Sequence, residues 1–87
     1  MAKVRFCVDW PGARAVYLAG SFNGWDPTAR RMTRVRKGKD TFVAVLDLAP
    51  GRHEFKYVVD GEWKCCPHAP RVPNDQGTEN SLIEVKA

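Results

Sequence analysis

Apolar residues recur at every second position through most of this 87-residue chain, and that spacing excludes more folds than any other property of the sequence. Val4, Phe6 and Val8 alternate with Arg5, Cys7 and Asp9. Phe42, Ala44, Leu46 and Leu48 alternate with Val43, Val45 and Asp47, and Phe55, Tyr57 and Val59 with Glu54, Lys56 and Asp60. Successive side chains of a strand point to opposite faces, so such runs bury one face; a helix would need apolar spacings of three and four. Turn residues punctuate the runs at Pro11-Gly12, Asn23-Gly24, Lys37-Gly38, Pro50-Gly51 and Asp60-Gly61, and the loop from Pro67 to Gly77 holds Pro67, Pro70 and Pro73. Strands are therefore expected at residues 3 to 9, 14 to 20, 31 to 36, 40 to 48, 52 to 60, 62 to 66 and 79 to 86. Asp60-Gly61, set between two β-rich runs, predicts a tight type I′ hairpin. A parallel sheet would need helical crossovers, and no segment has the pattern of one. The expectation is an all-β fold: an immunoglobulin-like β-sandwich of about seven antiparallel strands, forming one domain over residues 1–87.

Size limits function. A chain of this length buries roughly 60–65% of the surface its unfolded form exposes, which excludes a multi-domain enzyme with a deep cleft. At 44% hydrophobic and 28% charged residues the composition is that of an ordinary globular domain. The longest unbroken apolar runs, Ala15 to Ala19 and Phe42 to Leu46, are five residues each, too short for a membrane span or a signal segment. Three cysteines, an odd number, fit reduced thiols and a cytoplasmic location better than a disulfide framework. Cys65 and Cys66 are adjacent and would point apart on a strand, so a zinc site with His68 would need Cys7 or His53 brought in from elsewhere. No metal or cofactor is expected; one thiol packs as a small hydrophobe and the other faces a loop.

Ten carboxylates invite a search for a glycosidase pair, which needs two carboxyl groups about 5–10 Å apart, one of them with a raised pKa. Asp26, before Pro27, reads as a turn opener, Asp60 as part of its turn, and Glu62 adds nothing to complete a pair, so no catalytic residue is expected. His53 shares the parity of Phe55 and Tyr57 and reads as structural, and His68 sits among prolines with no special role. The segment 30–39 carries six positive residues and no negative one within a net charge of +4. That could attract phosphates. Arg34 and Arg36, however, share one parity, as an exposed strand face requires, and cationic edges also block stray strand pairing, so a nucleic-acid partner is not expected.

The aromatics are more informative. Trp25 follows an Asn-Gly turn and precedes Asp26-Pro27, and Trp63 follows Asp60-Gly61. An indole removes about 150–250 Å² from water when covered, so two placed at turns ask for something to cover them. Trp10, between Asp9 and Pro11, reads instead as a plug for the core or its rim.

The runs Val16-Tyr17-Leu18-Ala19-Gly20-Ser21-Phe22-Asn23-Gly24-Trp25, Phe42 to Leu48, Pro50 to Trp63, and Asn74 to Val85 with Gly77, Asn80 and Ser81, resemble the family-48 carbohydrate-binding module. That family includes the glycogen-binding domain of the AMP-activated kinase β subunit and the early-set domain ahead of branching and debranching enzymes, and the likeness covers residues 3 to 86 in order. The resemblance implies non-catalytic binding of α-1,4-glucans such as glycogen, starch or maltooligosaccharides. Carried over by position, it implies Trp25 and Trp63 as sugar-stacking rings and Lys56, Thr78 and Asn80 as polar contacts. Gln76 stands where the family has a leucine that reaches through the curve of the glucan, and it offers hydrogen bonds and a different shape. Cys66 stands where relatives often carry the aspartate of an Asp-Pro pair. The family's usual attachment to catalytic domains also motivates a second expectation, a protein-interaction module with a vestigial sugar site acting in trans with a glucan-metabolising enzyme.

Overall fold

A computed structural model describes residues 2–35, 40–67, 69–74 and 76–86. Among the described residues, eight strands run in chain order: β1 (Ala2–Asp9), β2 (Val16–Gly20), β3 (Thr33–Arg34), β4 (Thr41–Leu48), β5 (Gly51–Val59), β6 (Glu62–Lys64), β7 (Arg71–Pro73) and β8 (Glu79–Val85). They form two antiparallel sheets. One has the order β1-β4-β3; the other has β2-β5-β8-β7, with β6 also paired to β5. Because β8 pairs with residues 51–55 of β5 and β6 with residues 57–59, the two share one edge of that long strand, and Lys56 falls between them.

Alternation explains the sandwich. The register places Val4 opposite Leu46, Phe6 opposite Ala44 and Val8 opposite Phe42, so one face of β1–β4 is a continuous apolar surface. In the second sheet Val16 meets Val59 and Leu18 meets Tyr57. The two surfaces close on one core, in which Phe6, Val8, Val16, Leu18, Phe55 and Tyr57 are each at most 3% exposed. Phe6 and Phe55 meet across it edge to face, with ring centroids 5.0 Å apart. Trp10 packs on this cluster, half-buried, as a rim plug.

The structure corrects several strand boundaries. The expected strand at 14–20 starts at Val16, that at 52–60 runs Gly51–Val59, and that at 62–66 stops at Lys64. Arg71–Pro73, inside the proline-rich loop, forms an additional strand; its outer position in the sheet tolerates a residue without an N–H. The expected strand at 31–36 reduces to Thr33–Arg34 with a single bridge from Arg31 to Tyr17, and Arg36 lies outside the described residues. Arg31 borders the second sheet while Thr33 and Arg34 join the first, so this segment crosses the end of the sandwich.

Parity is also corrected at Arg34. Its register partner is the core residue Phe42, so it lies on the core-facing side of β3 and not on an exposed face. Its guanidinium turns out to the rim, stacking 4.7 Å above the Phe42 ring, donating to Asp40 Oδ1 at 2.7 Å and to the Ala13 carbonyl at 3.0 Å. Asp60 and Gly61 both have positive φ, 49° and 87°, as a type I′ turn requires. The Asp60 carboxylate also accepts from the backbone N–H groups of Arg14 and Ala15, at 3.0 and 2.9 Å, tying the hairpin to the chain entering β2.

Candidate functional site

The outer face of the second sheet carries the residues that alternation leaves over. Cross-strand partners share a face, so the pairs Tyr17 with Val58 and Val58 with Trp63 set these three side chains in one row. Lys56, paired with Ala19, belongs to the next row of the same face. Trp63 is 44% exposed, whereas Val58 beside it is only 5% exposed and Ala19 is fully covered. An apolar floor flanked by a large ring and a long amine is thus formed from three strands. Lys56 is half-buried and makes no ion pair among the described residues.

Trp25 sits in the turn that follows β2. Its amide donates to the Gly20 carbonyl at 3.0 Å, and the same carbonyl takes the Asn23 amide at 3.1 Å. The Asn23 side chain closes the turn, its Oδ1 accepting from Gly20 N at 3.0 Å and its Nδ2 donating to the Leu18 carbonyl at 3.0 Å. Gly20 admits no side chain: a Cβ would lie 2.6 Å from the Phe22 ring and 2.7 Å from the Glu54 carbonyl. The turn forces Trp25 into the left-handed region at φ 60°, a conformation that bulky residues rarely hold and that costs about 1–2 kcal/mol. Trp25 is half-buried rather than freely exposed.

The loop between β7 and β8 supplies the polar residues, and Asn74 organises it. Asn74 Oδ1 accepts from the amides of Gln76 and Thr78, at 3.0 and 3.1 Å. Its Nδ2 donates to Thr78 Oγ1 at 2.8 Å and to Asn80 Oδ1 at 2.9 Å. Asn80, 8% exposed, passes the network on by donating to Glu54 Oε1 at 3.0 Å, and the Glu54 carbonyl accepts from Ser21 N at 2.9 Å. One chain of hydrogen bonds therefore joins the Thr78 loop, β5 and the first residue of the Trp25 turn. Gln76 and Thr78 are exposed, while Asn80 lies beneath them as a brace. Sequence alone did not single out Asn74 or Glu54. The Asn74-to-Gly77 spacing is a turn signature that points to Asn74, but Glu54 gives no signal, because its partners arrive from distant segments.

The remaining candidates fall elsewhere. Asp26 accepts from the Thr28 amide and hydroxyl, each at 2.9 Å, which hold its carboxyl below the usual range, opposite to what a general acid needs. His53 Nε2 donates to the Ala49 carbonyl, 2.8 Å away, and the ring packs on Phe22, a structural position. Cys66 is buried in the core, with its amide bonded to Ser81 Oγ at 2.7 Å, and Cys65 Sγ lies 3.1 Å from the Glu79 carbonyl. Among the described residues no three His, Cys, Asp or Glu side chains are grouped to hold a metal, and no helix is long and apolar enough to cross a membrane; His68 lies outside the described residues. Two shallow concavities, of about 400 and about 290 Å³, are lined by neither Trp25, Lys56 nor Trp63.

A family profile described as the glycogen recognition site of AMP-activated protein kinase matches residues 3–87. The chain is 41% identical over 75 residues to the 5'-AMP-activated protein kinase subunit beta-1 of Sus scrofa, which covers 86% of this chain and 57% of that protein. The beta-1 subunit of Homo sapiens and the beta-2 subunit of Mus musculus are also 41% identical over 75 residues, but there the match spans only 26% of the relative. The chain thus corresponds to one part of these longer subunits. By a match that spans nearly its whole length, the chain belongs to the family of glycogen recognition domains of AMP-activated protein kinase.

Proposed function

We propose that this domain binds α-1,4-glucans without cleaving them, on the platform formed by the second sheet and its loops. The observation that carries the reading is the exposed Trp63 ring in register with Val58, with Lys56 on the same face. A pyranose offers a C–H face to an indole and hydroxyls to its rim. Trp25 and Trp63 supply the rings, Lys56 and Thr78 the polar contacts, and Gln76 an amide at the loop tip. Asn80 retains one amide hydrogen and one lone pair beyond its bonds to Glu54 and Asn74, enough for one sugar hydroxyl at the edge.

If each ring removes on the order of 50 Å² of sugar surface, stacking contributes about 1–1.5 kcal/mol per indole. With a few hydrogen bonds of about 1 kcal/mol each and the cost of ordering the chain, Kd falls between roughly 10 μM and 1 mM. Titration with maltoheptaose followed by tryptophan fluorescence is the test. Saturation in that range, with Trp63→Ala weakened about tenfold or more, is expected; a flat response from the wild type, or an unaltered Trp63→Ala, would refute the reading.

The relatives are named as subunits, which favours a second reading in which the domain also docks a glucan-metabolising enzyme acting in trans. The outer face of β1–β4, where Val45 is 46% exposed, is the surface open to such contact. Co-elution of the domain with a glycogen synthase or branching enzyme after amylase treatment supports docking. Co-elution that depends on intact glycogen supports sugar binding alone.

A further inference from the structure

The outer row of the second sheet continues past Tyr17. Leu18 N donates to the Arg30 carbonyl and Met32 N to the Val16 carbonyl, each at 2.8 Å, so Tyr17 and Arg31 form a non-hydrogen-bonded pair, the arrangement in which facing side chains lie closest. The row across the outer face therefore reads Arg31, Tyr17, Val58, Trp63. At about 4.8 Å between strands, Arg31 stands roughly 14 Å from Trp63, a span of a few pyranose rings.

Arg31 also borders the concavity of about 290 Å³, together with Arg14, Arg34, Met32, Thr33 and Phe42. Three arginines thus line one concavity where the chain crosses between sheets. Two carboxylates are near, and both are committed: Asp40 to Arg34 and the Gly12 amide, and Asp60 to the amides of Arg14 and Ala15. Arg34 is held by Asp40, Ala13 and Phe42, and its charge is balanced by Asp40. Arg14 and Arg31 are exposed and pair with no carboxylate among the described residues. A neutral glucan can take these groups as hydrogen-bond donors but leaves their charge uncompensated.

Resting on the α-glucan reading, we propose that the Arg14–Arg31 concavity binds a phosphate monoester carried by the glucan, a few sugars along the chain from the ring stacked on Trp63. Guanidinium forks match the oxygens of a phosphate, which at neutral pH carries a charge of about −1.5 to −2. A nucleic acid fits less well, because the arginines converge on one small concavity, whereas a polyanion needs charge spread along its backbone.

The probes are maltoheptaose and a maltoheptaose bearing a single C6 phosphate, titrated at low and high salt into wild type and the Arg14→Gln/Arg31→Gln double variant. The phosphorylated sugar should bind about three- to tenfold more tightly to wild type at low salt, and the advantage should vanish at high salt and in the variant. Unchanged maltoheptaose binding by the variant reports that its fold and platform are intact. Equal affinity for both sugars, or an advantage that survives in the variant, overturns this proposal alone. Failure of both sugars to bind overturns the α-glucan reading and the proposal with it. Tighter binding of a short DNA duplex than of the phosphorylated sugar, abolished in the variant, also overturns it in favour of a nucleic-acid site.

Discussion

Trp25 holds an indole on a backbone suited to glycine, and the two demands can be separated by substitution. Trp25→Ala removes the ring but keeps a Cβ at φ 60°, whereas Trp25→Gly removes both. The glycine variant should be more stable than the alanine variant by about 1 kcal/mol, measured by urea denaturation, because the left-handed penalty disappears. Both should lose glucan binding by about tenfold or more. Equal stability of the two variants would show that the turn imposes no strain. The outward position of Lys56 was legible in the sequence because a strand's faces alternate strictly, so the residues out of phase with Phe55 and Tyr57 had to face outward; Trp63 was marked only by its place after the Asp60-Gly61 turn. Arg34 was not legible by the same rule. Its position has core parity, and only its long stem, laid over Phe42 with the charge returned to Asp40, makes an arginine tolerable there.

Hairpins set the relative positions of these side chains. The Asp60-Gly61 turn fixes the register that brings Trp63 opposite Val58, and a one-residue slip would turn the indole to the other face. Asp60 does more than turn the chain, since its carboxylate takes the amides of Arg14 and Ala15 and its own N–H donates to the Ala15 carbonyl at 3.0 Å. Asp60→Ala should cost about 2–3 kcal/mol, combining lost acceptors with an unfavourable φ, while Asp60→Asn keeps an acceptor and a residue at ease in that conformation and should cost about half as much. A thermal melt of both variants measures the difference, and equal losses would assign the whole effect to charge. The turn itself was readable from two residues. The anchoring to Arg14 was not, because it joins positions far apart in sequence that no local pattern links. The extra strand β7 escaped for a different reason: Pro70 and Pro73 suggest a loop, and only an outer strand, with few ladder bonds to make, accepts them.

At the scale of the whole molecule, groups at different depths make the stability of the fold depend on pH. Asp40 ties the start of β4 to Arg34 and Gly12, and those hydrogen bonds hold its carboxyl below the ordinary value of 3.8. Its stabilisation is therefore complete above the unfolded-state value and is lost as the pH falls through the lower folded one. Tyr57 acts at high pH. It is 1% exposed between the sheets, and burial, reinforced by the Cys66 thiol bonded beside it, raises its phenol far above the usual range. Above pH about 10 an unfolded tyrosine releases its proton while the folded one keeps it, so the unfolded state binds fewer protons and stability falls with rising pH. The decline attributable to this one group reaches about 1.4 kcal/mol per pH unit. Tyr57→Phe should lower stability at neutral pH by about 1 kcal/mol through the lost hydrogen bond, yet flatten the decline above pH 10, so that the two stability curves converge and then cross. Chemical denaturation of both proteins at closely spaced pH values gives those curves. Parallel curves above pH 10 would mean that the phenol ionises as readily in the folded protein as in the unfolded one and that the alkaline limit belongs to other groups.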